Sequence, residues 1–173
     1  MQLLVTTNGT AHYRNKVYAA AIGRKGITND KTEGDGASPA GTYELCKALY
    51  REDRVLPPTT ALNLFKIKNT DGWCDAPNDP NYNKLITLPY HAHHEILHRS
   101  DPAYDILVTT NHNTDPVVPG AGSAIFLHII KDSEYQSTEG CIAFSESNLR
   151  EILSLWNPYK DRLVIQFTGE GQK

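Results

Sequence analysis

Two short stretches of the chain combine residue types able to do chemistry. His94-Glu95-Ile96-Leu97-His98 fits the H-E-x-x-H pattern, in which two imidazoles one helical turn apart hold zinc and the glutamate polarises its bound water. Further along, Ser137-Thr138-Glu139-Gly140-Cys141 follows the strand-like segment AIFLHII, which carries His128. A thiol nucleophile needs a base for its proton, and imidazole is the best-matched side chain near neutral pH. That base needs its other nitrogen held by an acceptor. Gly140 allows close backbone approach and turn geometry beside the sulfur. The N–H groups of Gly140 and Cys141 are then candidates to face a developing oxyanion.

The zinc pattern has poor surroundings. Pro89 and Pro102 leave room for two to three helical turns, and no apolar stripe precedes the motif to bury a helix. No third ligand follows at close spacing; the next imidazole is His112, in the loop-like NHNTD. A zinc metallopeptidase using His94, Glu95 and His98 is the remote alternative, and His91, His93, His94 and His98 are a histidine-rich stretch.

The elements that must position Cys141 and His128 are mostly strands. Segments 2–7, 16–22, 42–50, 104–110, 124–130, 141–145 and 162–168 are rich in β-branched, aromatic and aliphatic residues. Asn8-Gly9 marks a hairpin turn. KTEGDGASPAG at 31–41 is turn chemistry throughout and reads as a surface loop, and TDGWCDAPNDPNYN at 70–83 reads as a second loop. One amphipathic helix is expected from Leu149, Ile152, Leu153 and Trp156, with Ser145 as N-cap and Pro158 beyond its end. The expectation is one mainly-β domain with a minor helical share.

Composition excludes some classes. The 173 residues suit one buried core, and 39% hydrophobic with 21% charged residues is globular. With a net charge of −3 and no basic block, neither a nucleic acid nor a membrane is an expected partner. The opening MQLLVTTNGTAHYRN lacks the features of a signal peptide, so a cytoplasmic location is expected, or a periplasmic one had a leader been removed. Cys46, Cys74 and Cys141 form no C-x-x-C pair; Cys46 and Cys74 read as buried or inert thiols.

The stretch GSAIFLHI…STEGCIAFS resembles the active-site signature of the L,D-transpeptidase catalytic domain (YkuD-like) family, a strand histidine followed by a loop and S/T-x-G-C. GDGASPAGTYEL at 34–45 is similar to that family's G-D-x-x-T-P-x-G segment, and DGWCDAPNDPNYN, EILHRSDPAYDILV and DPVVPGAGSAIFLH look like one branch of it. The resemblance covers about residues 16–168. It implies a single catalytic domain over 1–173, β-sandwich or barrel-like with a few short helices, and neither metal nor other cofactor.

It also implies roles. Cys141 attacks the carbonyl between the L-centre of a stem-peptide diaminopimelate or lysine and the terminal D-Ala. His128 takes the thiol proton, the Ile129 backbone carbonyl orients the imidazole, and Gly140 with Cys141 forms the oxyanion hole. Glu95, Arg99, Asp101 and Tyr104 match an E-x-x-x-R-x-D-x-x-Y pattern of that branch, which makes H-E-x-x-H incidental. Arg99, Tyr104 and Ser137 are the expected substrate-binding residues; Arg99 offers a carboxylate a bidentate fork, or else forms a structural ion pair with Glu95 or Asp101.

The chain departs from the family pattern at Glu139 (often His), Ile129 (often Gly) and Ala143 (often Arg), and its 128–137 loop is short. Arg99 is the expected spatial replacement for the arginine missing at 143. The partner implied is a peptidoglycan tetrapeptide or muropeptide. Hydrolysis by an L,D-carboxypeptidase in murein recycling is expected, with cross-linking transpeptidation as the alternative and a silent murein-binding module as a further one.

Overall fold

Strand pairing in a computed structural model, which describes residues 1–131 and 134–168, explains how distant segments meet. Residues 132 and 133 of the short 128–137 loop, and residues 169–173 of the expected domain span, lie outside the described residues.

Strand β1 (Gln2–Thr6) turns at Asn8-Gly9 into β2 (Thr10–Tyr13), and β3 (Lys16–Ala19) continues the meander. Gly9 takes φ +74°, and the Asn8 side chain accepts from the Thr10 N–H at 3.2 Å, the local closure expected of such a turn. β15 (Arg162–Gln166) lies parallel to β1, and β6 (Gly41–Tyr43) pairs with β15, giving a five-stranded sheet in the order β3-β2-β1-β15-β6. A second five-stranded sheet runs β14 (Ile142–Phe144), β13 (Phe126–Ile129), β12 (Ile106–Thr110), β7 (Leu45–Tyr50), β8 (Asn63–Lys66).

The expected strand at 42–50 is therefore two strands. They break at Glu44, whose N–H donates to the Asn111 side chain at 2.9 Å, and they serve different sheets. Short β4 (Ile27–Thr28) and β5 (Ser38–Pro39) pair in parallel. A three-stranded sheet of β9 (Asp71–Cys74), β10 (Leu85–Thr87) and β11 (His94–Ile96) completes the β structure among the described residues.

The main core collects Leu3, Val5, Leu163 and Ile165 from the first sheet and Ile106, Val108, Leu127, Ile129, Ile142 and Phe144 from the second. Helix α1 (Glu146–Leu155) closes it with Leu149, Ile152 and Leu153; Ser145 caps its N-terminus by accepting from the Asn148 N–H at 3.2 Å. Among the described residues the architecture is mainly β, two five-stranded sheets around one core with two smaller sheets, one α-helix and a 3-10 turn at Pro102–Tyr104.

Alternation does the rest. Because side chains along a strand point to opposite faces, Leu127 and Ile129 fill the main core while Phe126 and His128 face the other way. That second face carries a smaller core of Leu49, Leu97, Tyr104, Leu107, Phe126 and Cys141, covered by Trp73 of β9. The 70–83 segment was expected to be loop, yet it contains β9. Pairing with β10 and β11 buries Cys74 and satisfies its backbone, which overrides the local turn chemistry. Strands β2 and β8 also escape the sequence pattern. Each is four residues long, too short for alternation to stand out.

Candidate active site

The parallel pairing of β13 with β14 brings the two candidate catalytic residues together. His128 is opposite Ala143, so Cys141, two residues earlier, stands on the same face one pleat along. Both open onto one cavity of about 510 Å³, and both are nearly buried, at 9% exposure for Cys141 and 7% for His128. The His128 Nδ1–H donates to the Ile129 carbonyl at 2.8 Å, which leaves Nε2 as the basic nitrogen. The edge of the Tyr104 ring meets the imidazole, centroids 5.4 Å apart, and fixes its plane.

The sulfur is held between two backbone groups. The Cys141 S–H donates to the Ala124 carbonyl at 3.0 Å, and the Phe126 N–H donates to Sγ at 3.4 Å. Burial pushes the thiol up to about 12, with the nearby Glu95 adding to the shift. Burial likewise brings His128 down to about 4, against the favourable contact with the Ile129 carbonyl. The resting pair is therefore a neutral thiol beside a neutral imidazole, and the base is available to take a proton at pH 7.

The loop before Cys141 is stapled to the 21–40 region. Thr138 exchanges backbone hydrogen bonds with Ile22 and Arg24, and Ala143 does so with Ala21. Ser38, fully buried, accepts from the Gly23 N–H at 2.9 Å and donates to the Gly140 carbonyl at 2.8 Å. Gly140 sits at φ +139°, where a Cβ would lie 2.9 Å from the Ala37 carbonyl oxygen, so only glycine fits. Sequence reasoning missed Ser38. The 31–41 segment was expected to be a surface loop, but residues 36–39 are buried beneath the cysteine loop.

The expected site residues divide. Cys141, His128, Arg99, Tyr104 and Ser137 all line the cavity. The Gly140 N–H, expected in the oxyanion hole, donates instead to Thr138 Oγ1 at 3.1 Å, an internal turn contact. Tyr104, expected to touch substrate, is buried and donates to Glu95 Oε2 at 2.6 Å. Arg99 presents its fork to Asp101, at 2.8 Å from Nε and 2.6 Å from Nη2, so the structural ion pair is formed. Where many relatives carry histidine, Glu139 takes a bidentate contact from Arg24 Nε at 2.9 and 3.0 Å. Of the two thiols expected to be buried or inert, Cys74 is buried and Cys46 is exposed.

The zinc alternative fails on geometry. His94, Glu95 and Ile96 form β11, an antiparallel strand paired with β9, so His94 and His98 share no helical face. His94 Nδ1 contacts the Ala92 carbonyl at 2.7 Å, and Glu95 is engaged by Tyr104. The strand wins because β9 needs a second partner and the residues before the motif offer no apolar helical face.

A buried thiol, an imidazole fixed through its Nδ1–H and a glycine-shaped turn before the sulfur are the parts that a cysteine nucleophile and its base require. The L,D-transpeptidase catalytic domain (YkuD) family model matches residues 1–165, and the chain belongs to that family. No curated protein gives a significant match. Among solved structures, Bd1075 from Bdellovibrio bacteriovorus aligns at 16% identity with a TM-score of 0.45, covering 94% of this chain and 46% of its own. The chain thus spans less than half the length of that protein.

Proposed function

We propose that the protein is an L,D-carboxypeptidase that releases the terminal D-Ala from a peptidoglycan tetrapeptide or muropeptide through a Cys141 thioester. The observation that carries this reading is that Cys141 and His128 open onto one cavity of about 510 Å³, the size of a single small-ligand site. One stem peptide and a water fit that description better than two stem peptides. On this reading the substrate is a soluble fragment, and the role is murein recycling in the cytoplasm.

The peptide carbonyl entering the cavity draws the thiol away from the Ala124 carbonyl. His128 Nε2 takes the thiol proton as sulfur adds to the carbonyl carbon. The Cys141 N–H, with the Gly140 N–H once Thr138 Oγ1 lets it go, receives the oxyanion. Collapse breaks the C–N bond, and His128 returns the proton to the departing amine of D-Ala. Water then attacks the thioester with His128 as base, releasing the tripeptide and the thiol. Arg99 and Ala143 line the same cavity, and on this reading Arg99 supplies the cation that relatives place at position 143; Ser137 lies at the exposed rim.

The test is incubation with a defined meso-diaminopimelate tetrapeptide, with a chelator throughout, followed by mass spectrometry. Tripeptide and alanine without dimer support the proposal. Dimer or D-amino-acid exchange makes the protein a cross-linking transpeptidase instead. Unchanged turnover and affinity in Arg99→Ala would remove Arg99 from substrate binding.

A further inference from the structure

Acidic and basic groups line the catalytic cavity together, and most are already matched. Glu33 accepts from the Tyr82 hydroxyl, Asp75 contacts His93, Glu95 accepts from Tyr104, and Glu139 from Arg24. Of the cations, Arg99 is forked onto Asp101, and Lys131 is a mostly exposed side chain 3.8 Å from the same carboxylate. Lys31 is different. Its side chain is only 8% exposed, although it lines the cavity with Cys141.

The path of Lys31 is specified by the fold. Its stem crosses Gly122, where an added Cβ would sit 2.9 Å from Cγ and Cε of the lysine. Its Nζ ends 3.5 Å from where a Cβ on Gly140 would be, next to the nucleophile. Two contacts hold the ammonium from behind, the Asp35 carboxylate and the Thr32 carbonyl at 3.2 Å. Asp35 does not line the cavity; it is latched within its own loop, accepting from the Thr32 and Ala37 N–H groups at 2.9 Å each. An ammonium has three donors, and here it stands between its counter-ion and the cavity.

We propose that Lys31 holds the C-terminal carboxylate of the amino acid to be released. The assignment rests on the carboxypeptidase reading and sharpens it. In the scissile unit that carboxylate lies one residue beyond the carbonyl that Cys141 attacks, about 3.8 Å along the chain. The Lys31 ammonium lines the same cavity as Cys141, on the side of Gly140, the residue preceding the nucleophile. A cation there selects a free chain end and disfavours an internal peptide bond, so the enzyme trims single residues. The alanine leaves as a zwitterion whose carboxylate stays paired until it diffuses away.

The experiment has two arms. In a Cys46→Ser background, alkylation of Cys141 by iodoacetate and by iodoacetamide is followed by peptide mass spectrometry. Lys31→Met keeps the apolar stem over Gly122 and should lower the iodoacetate-to-iodoacetamide rate ratio about ten-fold, the worth of one charge-assisted hydrogen bond. Lys31→Arg should retain the ratio, and circular dichroism checks that both variants fold. In the second arm, the tetrapeptide is compared with its C-terminal amide. The native enzyme should prefer the acid, and Lys31→Met should lose that preference, mainly through KM. An alkylation ratio unmoved by Lys31→Met, or equal losses on acid and amide, overturns the assignment. Should the native enzyme release alanine from neither peptide, the carboxypeptidase reading fails, while the alkylation ratio still decides whether Lys31 receives a carboxylate.

Discussion

Two buried polar centres, one beside β15 of the first five-stranded sheet and one beside β14 of the second, resolve their burial in opposite ways. At one, Asp161 is 1% exposed, and burial alone would raise its carboxyl. Instead the N-terminal ammonium at 2.7 Å, the Tyr13 hydroxyl at 2.7 Å, Arg14 at 3.2 Å and the Asn157 N–H at 2.8 Å hold it well below the usual carboxylate range. At the other, Cys141 and His128 are also buried, but their closest partners are backbone dipoles. Both therefore rest uncharged. Burial surrounded by compensating charge fixes an ion and ties structure together; burial among dipoles keeps two groups neutral until a substrate changes their surroundings.

The sharpest break of this comparison is removal of the sulfur. Cys141→Ala should lower D-Ala release by at least about 10⁴-fold, since a nucleophile's loss removes the whole covalent route. His128→Gln should cost about 10²- to 10⁴-fold, the range of general acid–base catalysis. Discontinuous release assays by mass spectrometry measure both, and thermal melts should show folded proteins.

The pH response separates the two centres. His128 falls from 6.5 to about 4 on folding, so below pH 6.5 the unfolded chain takes up a proton that the folded chain refuses. Stability should decline between pH 6.5 and about 4, by about 3 kcal/mol from this residue, and the decline should vanish in His128→Gln. The acid limb of kcat/KM should lie near 4, well below the ordinary imidazole value. Asp161 has a lowered value, so its contribution persists above the ordinary carboxylate value of 3.8 and is lost only as pH falls further. Urea denaturation across pH 2 to 8 reads the His128 window and the onset of the Asp161 loss.

Replacing the charged centre has the mirror effect. Asp161→Asn should destabilise the fold by about 3 kcal/mol, because partners assembled for a carboxylate lose it, while turnover at low temperature stays near the native level. The smallest effect expected is that of Ser38→Ala, about 1 kcal/mol in urea melts with a modest loss of kcat. Its removal orphans the Gly23 N–H and loosens the Gly140 carbonyl behind the nucleophile.

Much of this was legible in the chain. The hairpin at Asn8-Gly9, the capped helix from Ser145, and the strands carrying His128 and following Cys141 rest on local signals, namely turn chemistry, a 3.6-residue period and β-branched runs. The loop signature of Cys141 needed no partner to be seen. The misread parts depend on neighbours distant in sequence. β9 lies inside a stretch of Asp, Asn, Pro and Gly, and its pairing with β10 and β11 supplies what its own composition lacks. The H-E-x-x-H pattern misleads for the same reason, since five residues do not state whether they will form a helix turn or a strand.

The amino-acid sequence by itself determined a mainly-β class, a matter of short-range period, and through its family resemblance it singled out Cys141, His128 and Gly140 as candidate nucleophile, base and preceding glycine. Only the tertiary structure decided which charges face the cavity. It gave Arg99 to Asp101, Tyr104 to Glu95 and Glu139 to Arg24, and it threaded Lys31 past Gly122 toward Cys141. Ion pairs and burial arise between segments tens of residues apart, where only folding sets the distance and the dielectric on which an electrostatic role depends.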